Sequence, residues 1–145
     1  MTDETTFRYC PQCNNGTALV YGAHDLAGDV HGEPYLVEQV RCWHCLACGS
    51  VFDLNGDDDL RVSAVVEATN VKVRERRAQA VRATRQKLML TQIEAGRLFG
   101  GGSTAFSEYE RGKTQPHKST VLLLRLLDRR PELLNELKNL PDSGW

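Results

Sequence analysis

The sequence predicts two small domains, an α+β domain organised around cysteines followed by an all-α domain of five short helices. Three observations predict it. All five cysteines of the 145-residue chain lie before residue 50. The charge reverses near Arg74: residues 1–74 carry 5 Lys+Arg against 11 Asp+Glu, a net −6, and residues 75–145 carry 13 against 8, a net +5. Beyond Arg77 the chain reads as short amphipathic pieces, each with its own start and stop residues. The boundary is expected between about residues 68 and 79, giving domains 1–74 and 75–145.

Composition bounds the function. With 41% hydrophobic and 26% charged residues the chain is neither disordered nor fibrous. No apolar run approaches the ~18 residues of a membrane-spanning helix, and the opening MTDETTFRYC has neither the basic start nor the apolar stretch of an export signal. A cytoplasmic protein without a membrane partner is expected. The basic half suits a polyanion, and the acidic half suits some other task.

The first elements belong to the cysteines. Cys10-Pro-Gln-Cys13 and Cys45-Leu-Ala-Cys48 are two Cys-x-x-Cys knuckles separated by 31 residues. A two-residue spacer aims both thiolates of a knuckle at one ion, and two knuckles make a closed tetrahedral four-sulfur site, so one structural Zn2+ per chain is expected. Gly49, and Asn14, Asn15 and Gly16, allow the tight turns in which amides face the sulfurs. Leu36, Val37, Val40 and Trp43 with intervening polar residues suggest strands, and Arg41–His44 should lead into the second knuckle as part of a zinc-ribbon-like domain. Its aliphatic core is thin, so metal would supply much of the folding energy. Cys42 pairs equally well with Cys45 by spacing, and either Cys42 or His44 is an alternative ligand. Disulfides and a thioredoxin-like redox pair are the other readings; the odd cysteine count opposes the first and the duplicated pair the second.

Asn55–Asp59, rich in Asn and Asp, reads as a break, followed by a helix over 60–72 with Leu60, Ala64, Val65 and Ala68 on one side. Ala78–Met89 fits a first amphipathic helix of the basic half, with Val81, Ala83 and Leu88 inward and Arg and Gln outward. Thr91-Gln-Ile-Glu94 has capping-box spacing and should start a second helix at Gln92. That helix runs to Phe99 and stops at Gly100-Gly101-Gly102. A third spans Thr104–Arg111 before Gly112 and Pro116. Ser119 should cap a leucine-rich fourth helix through Asp128, and Pro131 should open a fifth that ends near Asn139.

No catalytic constellation accompanies this pattern. Four thiolates leave no open position on zinc for an activated water. The histidines are scattered, there is no His-Glu-x-x-His or Gly-x-Ser-x-Gly, and the three glycines lack the Lys and Ser or Thr of a phosphate loop. An enzyme is not expected.

Helices two and three, joined by the glycine turn, instead match a helix-turn-helix, whose second helix enters the major groove. Thr91-Gln92, Ala95, Leu98-Phe99-Gly100, Phe106, Tyr109-Glu110 and Gly112 together resemble the phage-repressor-like branch of that fold. Leu98, Phe106 and Tyr109 would be core, and Ser103, Thr104, Ser107 and Glu108 would face outward. Gln92 is placed for the backbone or an outer base, and Arg97, Arg111, Lys113 and Lys118 for phosphates.

Over nearly its full length the chain resembles the two-domain antitoxins of the MqsA (YgiT) type, regulators of type II toxin-antitoxin systems. The likeness is densest from Leu88 to Leu134, at Leu90-Thr-Gln, Phe99-Gly-Gly-Gly102, Ala105-Phe-Ser107, Tyr109-Glu110, Gln115-Pro-His117, Leu124-Arg125 and Pro131-Glu-Leu-Leu134, and weakest from Thr17 to Gly32. The resemblance implies a structural zinc, an N-terminal domain that helps bind a ribonuclease toxin, and a C-terminal domain that dimerises and represses its own operon at a palindromic operator. A stand-alone zinc-ribbon regulator with no toxin is the alternative, and a thiol redox protein the more distant one. Two positions depart from the family pattern: Thr104 and Glu108 stand where the best-known member carries Asn and Arg. Glu108 removes a guanine-gripping donor, so an altered operator preference is expected.

Overall fold

A computed structural model describes residues 9–141 of the chain. Most of the opening stretch read above for export signals lies outside the described residues. Three antiparallel strands, β1 (Leu19–Val30), β2 (Glu33–Cys45) and β3 (Val51–Phe52), form one sheet in the order β1-β2-β3. Five helices follow: α1 (Gly56–Lys87), α2 (Gln92–Phe99), α3 (Ala105–Glu110), α4 (Lys118–Arg129) and α5 (Leu133–Lys138). The chain divides into two compact units between Val71 and Lys72.

In the first unit β1 and β2 make a long hairpin, of which the sequence reading identified only the second strand. The two-residue turn His31-Gly32 has positive φ at both positions, 53° and 83°, the backbone whose twist matches that of paired strands. Asp29 Oδ2 accepts from the Gly32 amide at 2.9 Å. A register shift lies between His24 and Leu26. Opposite it Gln39, at φ 55°, donates its amide to Asp25 Oδ1 at 2.9 Å. An extra residue in a strand breaks strict alternation, and this is how Val37 and Val40, an odd and an even position, are both buried while Leu36 is exposed.

Asn55–Asp59 is not a break but the start of α1. Asn55 Oδ1 accepts from the Asp57 amide, and its carbonyl accepts from Asp59. Three aspartates occupy the positive end of the helix dipole. Asp58 accepts from the Arg41 amide of β2 at 2.9 Å and from Arg61 at 2.6 Å. Its carboxyl is therefore held below the usual range, chiefly by the Arg41 amide and against desolvation. That anchor sets the rotation of α1. Val62 and Val65 pack with Val37, Val40 and Cys42, whereas Leu60, Ala64 and Ala68 turn outward. Of the expected stripe Leu60, Ala64, Val65 and Ala68, Val65 packs inward as expected and the other three do not; docking of Asp58 on β2 selects the face that Val65 shares with Val62.

The two helices expected on either side of Lys72–Arg77 are one helix. No Gly or Pro occurs between Asp57 and Lys87, and Arg and Lys are good helix formers, so a change of charge sign does not stop the backbone.

The second unit packs around Phe106, with Val81, Leu88, Leu90, Ala95, Leu124, Leu127 and Leu134 buried beside it. Ala83, expected inside, is exposed. Phe99 and Tyr109 bring their rings to 5.7 and 5.6 Å from that of Phe106. The capping box forms: Thr91 Oγ1 accepts from the Glu94 amide at 3.2 Å and Glu94 Oε2 from the Thr91 amide at 2.7 Å. Gly100, Gly101 and Gly102 all have positive φ. A Cβ at Gly96 would run into the Gly102 carbonyl, so the turn packs directly on α2. Helix α3 is one residue shorter at each end than expected. Ser119 does not cap α4; the chain leaves its extended form at His117 (ψ 151°), and Ser119 Oγ lies 3.1 Å from His117 Nδ1. Pro131 opens a tight turn, with the Leu134 amide donating to its carbonyl, so α5 begins two residues later at Leu133. Among the described residues no helix is long and apolar enough to cross a membrane.

Candidate metal centre and nucleic-acid interface

Each cysteine knuckle is a tight turn tied by equivalent backbone bonds. In the first, the Asn14 amide donates to the Cys10 carbonyl and the Cys10 amide to Thr17; in the second, Gly49 donates to Cys45 and Cys45 to Ser50. Asn14, Gly16 and Gly49 supply the positive φ of these turns. The hairpin brings the two together, and one ligand atom from each of Cys10, Cys13, Cys45 and Cys48 lies within 4.8 Å of all the others. The Cys10–Cys48 and Cys13–Cys45 sulfurs stand 3.6 and 3.7 Å apart. A tetrahedron with Zn–S near 2.3 Å has edges of about 3.8 Å, whereas a disulfide requires ~2.05 Å. The four cysteines therefore have the spacing to hold one metal ion, and zinc fits that spacing. Leu19, Trp43 and Phe52 pack against them.

The sulfurs hold their protons unequally. For Cys13 the Asn15 backbone amide pulls downward, but desolvation and the three neighbouring sulfurs outweigh it and raise the pKa to about 12. For Cys48 the Ser50 hydroxyl and backbone amide dominate and lower it to about 6. A divalent cation removes this conflict by taking all four as thiolates, with release of protons.

Cys42 is not part of the group. Its sulfur is buried with Val37 and Val40 under α1, and burial, followed by the Asp58 charge, pushes its thiol pKa upward. His44 also turns away: its Nδ1 is 3.0 Å from the Val20 carbonyl, and its ring lies on that of His24.

In the second unit, α2, the glycine turn and α3 bring most of the predicted polar residues together. Ser103 and Thr104 are exposed and Ser107 and Glu108 half-buried. Arg111 folds back on the helix, its Nε donating to the Ser107 carbonyl at 3.0 Å and its Nη2 to Ser107 Oγ at 3.1 Å. Thr114 donates to Glu108 Oε2 at 3.4 Å. Lys113 is exposed just beyond α3. Arg97 is set apart: five residues from Gln92 on a helix is a rotation of about 140°, and it lines a groove with Leu90, Glu94, Leu98 and Lys138.

Two residues beneath these side chains, Arg85 and Glu110, had no role assigned from the sequence. Arg85, expected to point outward, is largely buried against Glu110: its Nη2 donates to Oε2 at 3.0 Å, its Nε to Oε1, and its Nη1 to the Leu90 carbonyl at 2.7 Å. Gln92 Nε2 donates to the same Glu110 Oε2 at 2.9 Å. Desolvation alone would raise the Glu110 pKa, but the bonds from Arg85 and Gln92 bring it below the ordinary value. The signal was Glu110 before Gly112; its partner lies 25 residues back, beyond the reach of any local pattern.

Comparison with known proteins finds a matching family and a relative. The family model described as the antitoxin component of a bacterial toxin-antitoxin system, MqsA, matches residues 8–138. The chain is also 36% identical over 130 residues to the Escherichia coli (strain K12) protein named Antitoxin MqsA, covering 89% of this chain and 98% of that one.

Proposed function

The chain belongs to the MqsA antitoxin family, and from that premise we propose that it is a zinc-stabilised, sequence-specific transcriptional repressor of the cytoplasm, acting as the antitoxin of a type II toxin-antitoxin pair. An antitoxin works against a toxin and is not itself an enzyme. On this proposal, residues 1–74 hold one structural Zn2+ through Cys10, Cys13, Cys45 and Cys48 and help to bind a ribonuclease-type toxin. Residues 75–145 dimerise and bind operator DNA through a helix-turn-helix made of α2 and α3.

The observation that carries the DNA reading is the unit α2–Gly100-Gly101-Gly102–α3. Phe106 is inward and Ser103 and Thr104 outward, on a half of the chain with net charge +5. Ser103, Thr104, Ser107 and Glu108 are the candidates for base edges. Arg111 bonds Ser107 and the Lys113 amide bonds the Glu108 carbonyl, Gln92 joins at the end of α3 through Glu110, and Arg97 could serve only a more distant phosphate. Glu108 can accept from cytosine N4 and Thr104 can meet a thymine methyl.

The test is selection of duplexes from a random library by the zinc-loaded full chain and by Glu108→Arg. Enrichment of a palindromic site by the wild type, and of a different one by the variant, is expected. If the wild type enriches nothing, DNA reading fails; if both enrich the same site, Glu108 has no part in readout. Copurification of a ribonuclease encoded beside this chain tests the toxin half, and its absence on coexpression would favour a stand-alone regulator.

A further inference from the structure

We infer that Glu110 is a positioning residue for DNA reading: its buried carboxylate fixes the orientation of the Gln92 amide at the edge of α3. This rests on the proposed DNA-binding reading and adds to it a residue that need not touch the duplex.

The argument starts from donor and acceptor inventory. An ionised carboxylate only accepts, so the part of the Gln92 amide that faces Glu110 Oε2 at 2.9 Å must be the nitrogen. The carbonyl Oε1 and the second N–H of Gln92 are thereby left for something else. Glu110 is itself immobile, because Arg85 takes both of its oxygens and its side chain is only 5% exposed. Arg85 is held in turn by the Leu90 carbonyl at 2.7 Å. The other end of Gln92 is fixed too, since it is the first residue of α2 and follows the Thr91–Glu94 capping box directly. A glutamine pinned at backbone and amide has lost its rotamer freedom before any ligand arrives, and one hydrogen-bonding pair of known polarity is presented beside the C-terminal end of α3, where Glu110 sits. Preorganisation of this kind improves binding by lowering the ordering cost rather than by adding contacts.

The charge pair also has a structural role, and the experiment separates the two. Replacing a buried ion pair by apolar residues of similar volume commonly preserves a fold, so Arg85→Met/Glu110→Met keeps the core while removing the acceptor. Affinity is measured for a duplex carrying the site that the zinc-loaded full chain selects from a random library, at fixed salt, in a cycle with Gln92→Ala. The double variant should bind about tenfold more weakly, the worth of one hydrogen bond to a charged group. In the Gln92→Ala background the same change should cost less than about twofold. Unchanged affinity, or an equal loss in both backgrounds, overturns the positioning role while leaving DNA binding intact. If the wild type selects no site, the DNA reading fails and the role of Glu110 with it. If the double variant does not fold, the nitrogen-15 spectrum of the wild type decides: the Gln92 side-chain amide should show one shifted, slowly exchanging proton, and free-glutamine shifts with rapid exchange overturn the inference.

Discussion

Removal of metal from the four-cysteine group should unfold one end of the first unit and leave the second folded. The relevant magnitudes can be read from the packing. Around Cys10 and Cys45 the large apolar side chains are Leu19, which is buried, with Trp43 and Phe52 only partly so. At about 1.5–3 kcal/mol for each fully buried side chain of this size, they supply at most about 9 kcal/mol. A structural zinc contributes about 10–16 kcal/mol of apparent binding energy in small domains. A zinc ion held by the four cysteines would therefore stabilise this end more than its side chains do, and the apolar cluster alone would not hold the knuckles. By contrast Phe106 and Leu127, in the second unit, are fully buried among other leucines and need no ligand. The assay is titration of the reduced, zinc-loaded chain with a chelator. Emission from Trp43, made the sole reporter by Trp145→Phe, is followed together with alkylation of the thiols and far-UV circular dichroism. Trp43 emission should shift to that of exposed indole, the four clustered thiols should become reactive in the same transition, and most helical signal should persist. Chelated protein that keeps native Trp43 emission and unreactive thiols would refute the reasoning, as would collapse of the whole helical signal at the same chelator concentration.

Three further outcomes are expected. Cys42→Ala should retain one zinc per chain while Cys45→Ser loses it, because the Cys42 sulfur lies with Val37 and Val40 and not in the cluster; metal content by mass spectrometry decides. The depressed Glu110 pKa means that its contribution to stability is present above the ordinary value of 4.5 and disappears as pH falls through the lower folded value. The helical unit should therefore lose melting temperature below about pH 4.5, and Arg85→Met/Glu110→Met should abolish that part of the acid sensitivity. Binding to the selected duplex should weaken with salt along a log-log slope near −0.9 per neutralised phosphate. Lys113→Gln should flatten that slope by about one phosphate, and an unchanged slope removes Lys113 from the interface.

The local features of this protein were legible in its residues alone. Two Cys-x-x-Cys spacings announced the four-cysteine group, Thr91 and Glu94 the start of α2, and three successive glycines the turn before α3. Each depends on residues a few positions apart, so neighbouring side chains and backbone sterics decide the outcome wherever the segment sits. The family resemblance was legible for the same reason, being densest in the short helices of the basic half. Whatever required distant segments to meet was settled by folding. Choosing between Cys42 and Cys48 depended on which face of β2 is covered by α1, and the bulge opposite Asp25 altered that alternation. The buried stripe of α1 was selected by Asp58 docking on the Arg41 amide, since two apolar stripes were available in the helix itself. Strand β1 was overlooked because its inward positions include Gly22 and Gly28, which have no apolar side chain to reveal a period of two. Glu110 acquired its role only when folding carried Arg85 and Gln92 to one carboxylate, a meeting that exists in space and has no counterpart in residue spacing.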